Sequence, residues 1–299
     1  WPNGATATTY EARQYDRLRG PQHHGAWVDE LAKFRYARET WDQLQFGLRL
    51  GSNPQAVVTT TPRAVPLIKS LLADKATVIT GGSSYENRAN LAQSFFDKII
   101  SKYEGTRLGG QEIHAIILDD VPGALWKRDQ LDALRVVKFP DLVRIVVAID
   151  PAASSDEGAA ETGIIVAGLG SDGHGYILDD ATVQDSPHGW ASAAVSAYHI
   201  HKADRIVGEA NNGGEMVGHT VRTVDDTVSF KAVHASRGKL TRAEPIAALY
   251  EQGKVHHVGT FADLEDQLCS WVPGAKSPDR LDAMVWALQK FSGLPANKV

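Results

Sequence analysis

Along this chain the period of the apolar positions changes several times, and the changes divide it in two. Between Gly25 and Thr61 a short apolar run ending in acids (AWVDE) gives way to a stretch of helical period (LAKFRYARETWDQLQFGLRL) and then to a β-branched run (AVVTT) closed by Pro62. Strand, helix, strand is the grammar of a parallel α/β sheet, because the helix carries the chain back to start a second strand in the same direction. The run ATVITGG predicts a third strand, and Leu91 to Lys102 a further helix. From Gly105 to Pro140 the regularity fades, punctuated by Gly109, Gly110, Pro122, Gly123 and Pro140. Such punctuation marks turns and linkers. The sequence therefore divides into a first domain over 1–125, a linker over 126–140 and a second domain over 141–299.

The second half opens with LVRIVVAID, a nearly continuous apolar strand ending in an acid; GIIVAGL and YILDDATV then read as a hairpin through the turn SDGHG. After Ser186 and Pro187 come a small-residue helix (HGWASAAVSAYHIHK), the strand RIVGEA, a Gly-rich turn, the helix EMVGHTVRTV and the strand VSFKAVHA. Helices around RAEPIAALYEQG and PDRLDAMVWALQKF complete it. Three strands, helix, strand, helix, strand, helix is the order of a ribonuclease H-like fold.

Two of these strands end in acids. Asp150 closes VRIVVAID and is followed by Pro151, which cannot continue a central strand, and Glu209 closes RIVGE. In open α/β sheets the crevice beyond the strand ends is where ligands bind. Asp282 lies among Met284, Val285, Ala287 and Leu288 in the last helix, and an acid buried among apolar residues needs a partner. Three carboxylates drawn together repel unless a cation sits among them, so the set predicts a Mg²⁺ or Mn²⁺ site. Two such ions about 3.5–4 Å apart hold a scissile phosphate, acidify an attacking water and stabilise the departing 3′ oxygen. Each acid alone reads more readily as an ordinary strand-end or first-turn residue than as a ligand, since turns and helix N-termini favour acids. Their combination in this strand order is what points to metal chemistry. Asp279, three residues before Asp282, is either a further carboxylate of that site or a helix cap after Pro278.

The 299 residues exceed an ordinary single domain, and 43% hydrophobic with 22% charged residues is a globular composition without a run apolar enough to cross a membrane. The opening WPNGATATTYEARQY lacks the basic start and apolar stretch of a signal peptide, and with Trp as the first residue the N-terminus of the intact protein is expected upstream. Cys269 is the single cysteine, which excludes a cysteine zinc site or an internal disulfide and fits a reducing compartment. A formal net charge of −5 argues against wrapping a long nucleic acid, so any DNA contact has to be local; the same charge suits carboxylates gathered around divalent cations. His256 and His257 alternate across the strand KVHHVG and so face opposite sides, poor geometry for one shared ion.

The words VAIDPAAS, VGEANNGG, KLTRAEPIAALYEQGKVHH and SPDRLDAMVWAL, in this order over Leu142 to Phe291, resemble the nuclease domain of the large terminase subunits of tailed phages and prophages. The resemblance implies that Asp150, Glu209 and Asp282 bind the catalytic metals. Many relatives carry two adjacent acids at the last position, whereas the second slot here is Ala283, which leaves Asp279 as the additional carboxylate. Lys239 and Arg242 in the KLTR word are placed either to meet backbone phosphate or to form a solvated basic turn. LRGPQHHGAWVDELAKF resembles the terminase stretch carrying the Walker B acids, so that Asp29 holds Mg²⁺ and Glu30 activates the water attacking the γ-phosphate. TTTPR at Thr59 to Arg63 resembles the coupling motif, with Thr60 and Thr61 sensing the nucleotide. Spacing alone reads WVDE as an ordinary strand end as readily as a Walker B site, and TTTPR also reads as a Thr-rich strand end before Pro. No G-x-x-x-x-G-K-[ST] phosphate loop is present, and GGSSYENRAN lacks the lysine that reaches the phosphates. The strand and loop carrying it are expected upstream, and the chain by itself is not expected to hydrolyse ATP.

The expectation is thus an α/β chain, an incomplete P-loop-type ATPase sheet followed by an RNase H-like mixed-sheet nuclease domain. The resemblance implies a metal-dependent endodeoxyribonuclease that cuts concatemeric viral double-stranded DNA in the host cytoplasm. A small terminase subunit and a portal protein are its implied partners, and ATP is used only by the intact protein. A catalytically silent motor or assembly scaffold is the alternative, separable by whether Mn²⁺ binds. Another RNase H-like enzyme, such as a junction resolvase, is disfavoured by the Walker B-like and TTTPR words.

Overall fold

The computed structural model describes every residue except 1, 101–103, 105–106, 118–119, 152–160, 210–213, 235–237 and 292–299. The Gly-rich turn read after Glu209 therefore lies outside the described residues. The chain forms two compact units, Trp1–Asp119 and Asp120–Val299.

In the first unit β1 (Gly25–Asp29) and β2 (Gln55–Thr59) pair in parallel, joined through α1 (Ala37–Gly47). The following α2 (Pro66–Ala73) begins on Pro66, where the missing N–H has no helical partner to lose. Val28, Leu31, Leu44, Val65, Leu67 and Ile68 form its core. The third strand predicted at ATVITGG does not form; Val78 is 89% and Ile79 58% exposed. A β-branched run becomes a strand only where a neighbouring edge and a covered face reward it, and here it has neither among the described residues. The P-loop-type sheet is incomplete, two strands wide among the described residues.

The second unit carries, in chain order, α3 (Arg128–Ala133), β3 (Arg135–Val136), β4 (Leu142–Asp150), β5 (Gly163–Gly170), β6 (Gly175–Asp180), α4 (Pro187–Ile200), β7 (Arg205–Glu209), α5 (Gly214–Val224), β8 (Phe230–Val233), α6 (Lys239–Glu251), β9 (Val255–Val258), α7 (Ala262–Ser270) and α8 (Asp279–Leu288). Its sheet runs β3-β9-β6-β5-β4-β7-β8. β4, β5 and β6 are antiparallel neighbours, while β7 and β8 continue parallel to β4, so the order read from the sequence is realised in space. Along β4 and β5 both faces are buried. Val146, Ala148, Ile165 and Ala167 face one core with α6, α7 and α8, and Val147, Ile149, Ile164 and Val166 face the other with α4 and α5. Complete burial of each such aliphatic side chain is worth about 1.5–3 kcal/mol.

Residues 126–140 are not a linker. Trp126 and Leu131 are fully buried in the core of the second unit, and β3 pairs with β9. Glu265, buried on α7, anchors the segment: it accepts from Arg128 Nη1 at 3.2 Å, from both terminal nitrogens of Arg135 at 2.7 and 3.0 Å, and pairs with His257 Nδ1 at 2.9 Å. Burial alone would lift the Glu265 carboxyl, but Arg135 and His257 outweigh it and hold the group well below the usual carboxylate range. Pro122, Gly123 and Pro140 mark turns within a folded domain. α3, β3 and α7 went unpredicted.

α8 reaches the sheet because of one glycine. Gly163 is the cross-strand partner of Asp150, and a Cβ there would collide with the Asp279 carbonyl and the Arg280 amide at the start of α8. Arg280, itself buried, fastens the same turn, donating to Asp180 Oδ2 at 2.9 Å and pairing with Glu161. Gly163→Ala is accordingly expected to cost about 1–3 kcal/mol by overpacking, read as a lower denaturation midpoint. An unchanged midpoint contradicts the close approach.

Candidate active site

Asp150 ends the central strand, and the register that pairs Ile149 with Gly208 brings Glu209 to the adjacent position on parallel β7. Both acids thus stand at carboxyl ends of neighbouring strands. Asp282, one turn into α8, is 2% exposed and Asp150 8%. Burial, then the charges of Asp282, Glu209 and Asp279, push the Asp150 carboxyl up to about 8, while Lys239 opposes them. Four acids from three distant parts of the sequence therefore lie in one electrostatic cluster. Burial also raises Asp279, which Lys276 partly offsets.

Each of the three predicted metal-binding acids that has a polar contact is turned toward a protein partner. Asp282 Oδ2 accepts from Lys239 Nζ and from Ser277 Oγ. Glu209 Oε2 accepts from Trp286 Nε1 at 2.9 Å, and Arg242 Nη1 stands 3.6 Å from the same oxygen. As arranged, no group of three or more His, Cys, Asp or Glu side chains among the described residues is disposed to hold a metal ion. The charge chemistry fits a divalent cation all the same. Asp150, buried and ringed by three further acids, feels a repulsion that Lys239 offsets only in part.

The two basic residues singled out from the sequence have different fates from the one expected. Lys239 is engaged with Asp282; burial pulls its pKa down, but Asp282, Asp150 and Glu209 outweigh that and leave it raised. Arg242 is not a surface phosphate contact. It is buried, its guanidinium stacked 4.3 Å over the Trp286 ring. The cause is helical period: Arg242 shares a face of α6 with Ile246 and Leu249, which are core. Trp286, Ser277 and Arg280 were missed. Trp286 was findable as the i+4 neighbour of Asp282, on the same face of α8. The histidines stay outside the cluster: His257 is buried against Tyr250 and Glu265, and His256 pairs with His174 at 2.9 Å.

In the first unit, Asp29 and Thr59 are register partners, and Thr59 Oγ1 donates to Asp29 Oδ1 at 2.6 Å while accepting from Trp27 Nε1 at 3.0 Å. Thr60 Oγ1 accepts from the Ala32 amide and donates to the Thr61 carbonyl. Glu30 adopts a left-handed backbone with φ 55° and lies 3.5 Å from Lys33 Nζ. The two words read as nucleotide motifs therefore meet at adjoining strand ends, with Thr59 rather than Thr60 or Thr61 touching the acid.

A mixed sheet of three antiparallel strands continued by two parallel ones, with acids ending β4 and β7 and entering from a C-terminal helix, defines an RNase H-like nuclease domain. The family comparisons agree. Residues 147–291 match the model described as terminase RNaseH-like domain, and residues 1–133 that of the terminase large subunit, T4likevirus-type, N-terminal. The chain belongs to the large terminase subunit family. A search of curated proteins gives no match. Similar solved structures include the human cytomegalovirus terminase nuclease domain, at 15% identity over 55% of this chain and 93% of that one, TM-score 0.43. A large terminase from a thermophilic bacteriophage aligns at 13% identity over 94% of this chain and 72% of that one, TM-score 0.42. The nuclease domain of the large terminase subunit of bacterial virus Sf6 aligns at 14% over 55% and 98%, TM-score 0.43.

The Asp150 shift has a stability consequence in cation-free protein. A carboxyl raised in the folded state keeps a proton that the unfolded chain releases, so folding stability falls as pH rises between 3.8 and about 8. Urea denaturation in chelator across that window should show the decline, and Asp150→Asn should flatten it. An identical slope in the variant removes Asp150 as its source.

Proposed function

We propose that this chain is a metal-dependent endodeoxyribonuclease cutting concatemeric viral double-stranded DNA during genome packaging in the host cytoplasm. Asp150, Glu209 and Asp282 are its metal-binding acids, and Asp279 is an accessory carboxylate. The observation that carries this reading is a buried Asp150 in the field of Asp282, Glu209 and Asp279 at the carboxyl edge of an RNase H-like sheet. Mg²⁺ or Mn²⁺, when bound, supplies Lewis acidity toward the phosphodiester and the attacking water. The chain's part is to orient. β4 and β7 fix two acids at one level of the sheet, α8 brings the third, and Lys239 neutralises Asp282 until a stronger cation replaces it. DNA, a small terminase subunit and a portal protein are the partners this reading takes from the family. Asp29, Glu30, Thr60 and Thr61 belong to nucleotide handling by the intact motor, with ATP bound where a phosphate loop is also present.

The full chain should nick and linearise plasmid with Mn²⁺ or Mg²⁺, and Asp150→Ala, Glu209→Ala or Asp282→Ala should each reduce cutting to background. Undiminished cutting by Asp150→Ala eliminates the assignment; Mn²⁺ failing to bind by calorimetry favours a scaffold. Because the half-exposed Lys239 ammonium competes for Asp282, Lys239→Ala should tighten Mn²⁺ binding by roughly two- to five-fold, the range of a solvent-screened ion pair. Weaker binding would show that Lys239 supports the cation.

A further inference from the structure

Two helices build this site in matched pairs. α8 presents Asp282 and, one turn on, Trp286; α6 presents Lys239 and, three residues on, Arg242. Lys239 reaches Asp282, and Arg242 lies on Trp286. At each acid the contacts fall on one oxygen: Lys239 and Ser277 on Oδ2 of Asp282, Trp286 and Arg242 on Oε2 of Glu209.

At Glu209 the competition between donors is informative. The neutral indole N–H makes the hydrogen bond at 2.9 Å, while the charged Arg242 Nη1 is held off at 3.6 Å. Arg242 is more than nine-tenths buried, and its Nε and Nη1 have no hydrogen-bond partner among the described residues. A buried guanidinium with unmet donors beside a carboxylate normally closes into a bidentate pair, the strongest arrangement the two groups have. Closure would engage both oxygens of Glu209. What prevents it is Trp286: its N–H holds Oε2 turned away from the guanidinium, and Arg242 rests on its ring face at 4.3 Å, a cation–π contact that offsets part of the missing hydrogen bonding.

We propose that Trp286 is a positioning residue for Glu209: its indole N–H clamps Oε2 and its ring props Arg242 away, so that Oε1 stays free to meet a cation. Arg242 is the latent competitor, 3.6 Å away and able to close on Glu209 once the N–H clamp is lost. This inference rests on Glu209 being a metal-binding acid, and it adds what decides whether that acid is available.

The test is Mn²⁺ calorimetry on the full chain, with thermal melts of every variant. Trp286→Phe keeps a ring under Arg242 but deletes the N–H, freeing Glu209 to turn to Arg242. Affinity should fall on the order of tenfold, the usual effect of removing a ligand's outer partner. Adding Arg242→Gln should restore most of the loss, because the competitor is gone; a residue that merely fills the core cannot be rescued in this way. Arg242→Gln alone should leave affinity unchanged or raise it, which keeps the idea testable if the Trp286 variant unfolds. Wild-type affinity in Trp286→Phe, no rescue in the double variant, or weakened binding in Arg242→Gln alone each overturn the proposal while wild type binds and Glu209→Ala does not. Wild type failing to bind, or Glu209→Ala binding like wild type, instead removes the underlying metal reading and the proposal with it.

Discussion

Gathering carboxylates at the buried end of a central strand is electrostatically unfavourable, and much of the second unit is arranged around tolerating it. Like charges in a low-dielectric interior repel more strongly than at the surface, and a lone carboxylate there responds by keeping its proton. Asp150 does this, its carboxyl pushed up to about 8. Asp282 is stabilised differently, by an ammonium and a hydroxyl on one oxygen, and Glu209 by an indole with a guanidinium in reserve. Three acids thus have three kinds of support. The supports come from α6, α8 and the turn before it, so the positions of those helices and the charge state of the cluster are one problem.

Gly163 shows how backbone geometry enters. Without a side chain opposite Asp150, the first turn of α8 descends onto β5, and Asp282 follows it into the cluster. Arg280, buried in the same turn, pairs with Asp180 and Glu161. Two acids that would otherwise add to the negative field are paired with a cation of their own. Alternate residues of one helical turn thus carry opposite tasks, Arg280 fastening the helix and Asp282 serving the site.

The strand order of the second unit was legible because a buried central strand leaves a continuous apolar run and because its terminal acids break that run abruptly, as at Asp150 and Glu209. The grouping of those acids follows from topology, which the order of elements already implies. What the sequence did not disclose are choices made between side chains after helices cross. Arg242 reads as a basic surface residue until α6 is laid on α8, when the face it shares with Ile246 goes inward. Trp286 reads as core, and is core, but its N–H has a destination visible only once Glu209 stands beside it. The segment 126–140 was misread for a related reason. Its glycines and prolines are local signals, while Trp126, Leu131 and the Arg135–Glu265 pair are held by partners over a hundred residues away.

The same distinction bears on how an acidic chain meets a polyanion. Net charge of −5 is a property of the whole molecule, whereas attraction to phosphate is screened within about 8–10 Å at physiological salt and is therefore set locally. With Arg242 buried and Lys239 committed to Asp282, neither is a free cation on the surface. Lys290, 5.6 Å from the centre of the Trp286 ring, is in a different situation, its pKa lowered by burial and then by the neighbouring charge of Lys231. Trp286 thus meets both signs of charge at once, the Glu209 carboxylate at its N–H and the Arg242 and Lys290 cations at its ring, so the two signs are ordered around one side chain rather than spread over the molecule.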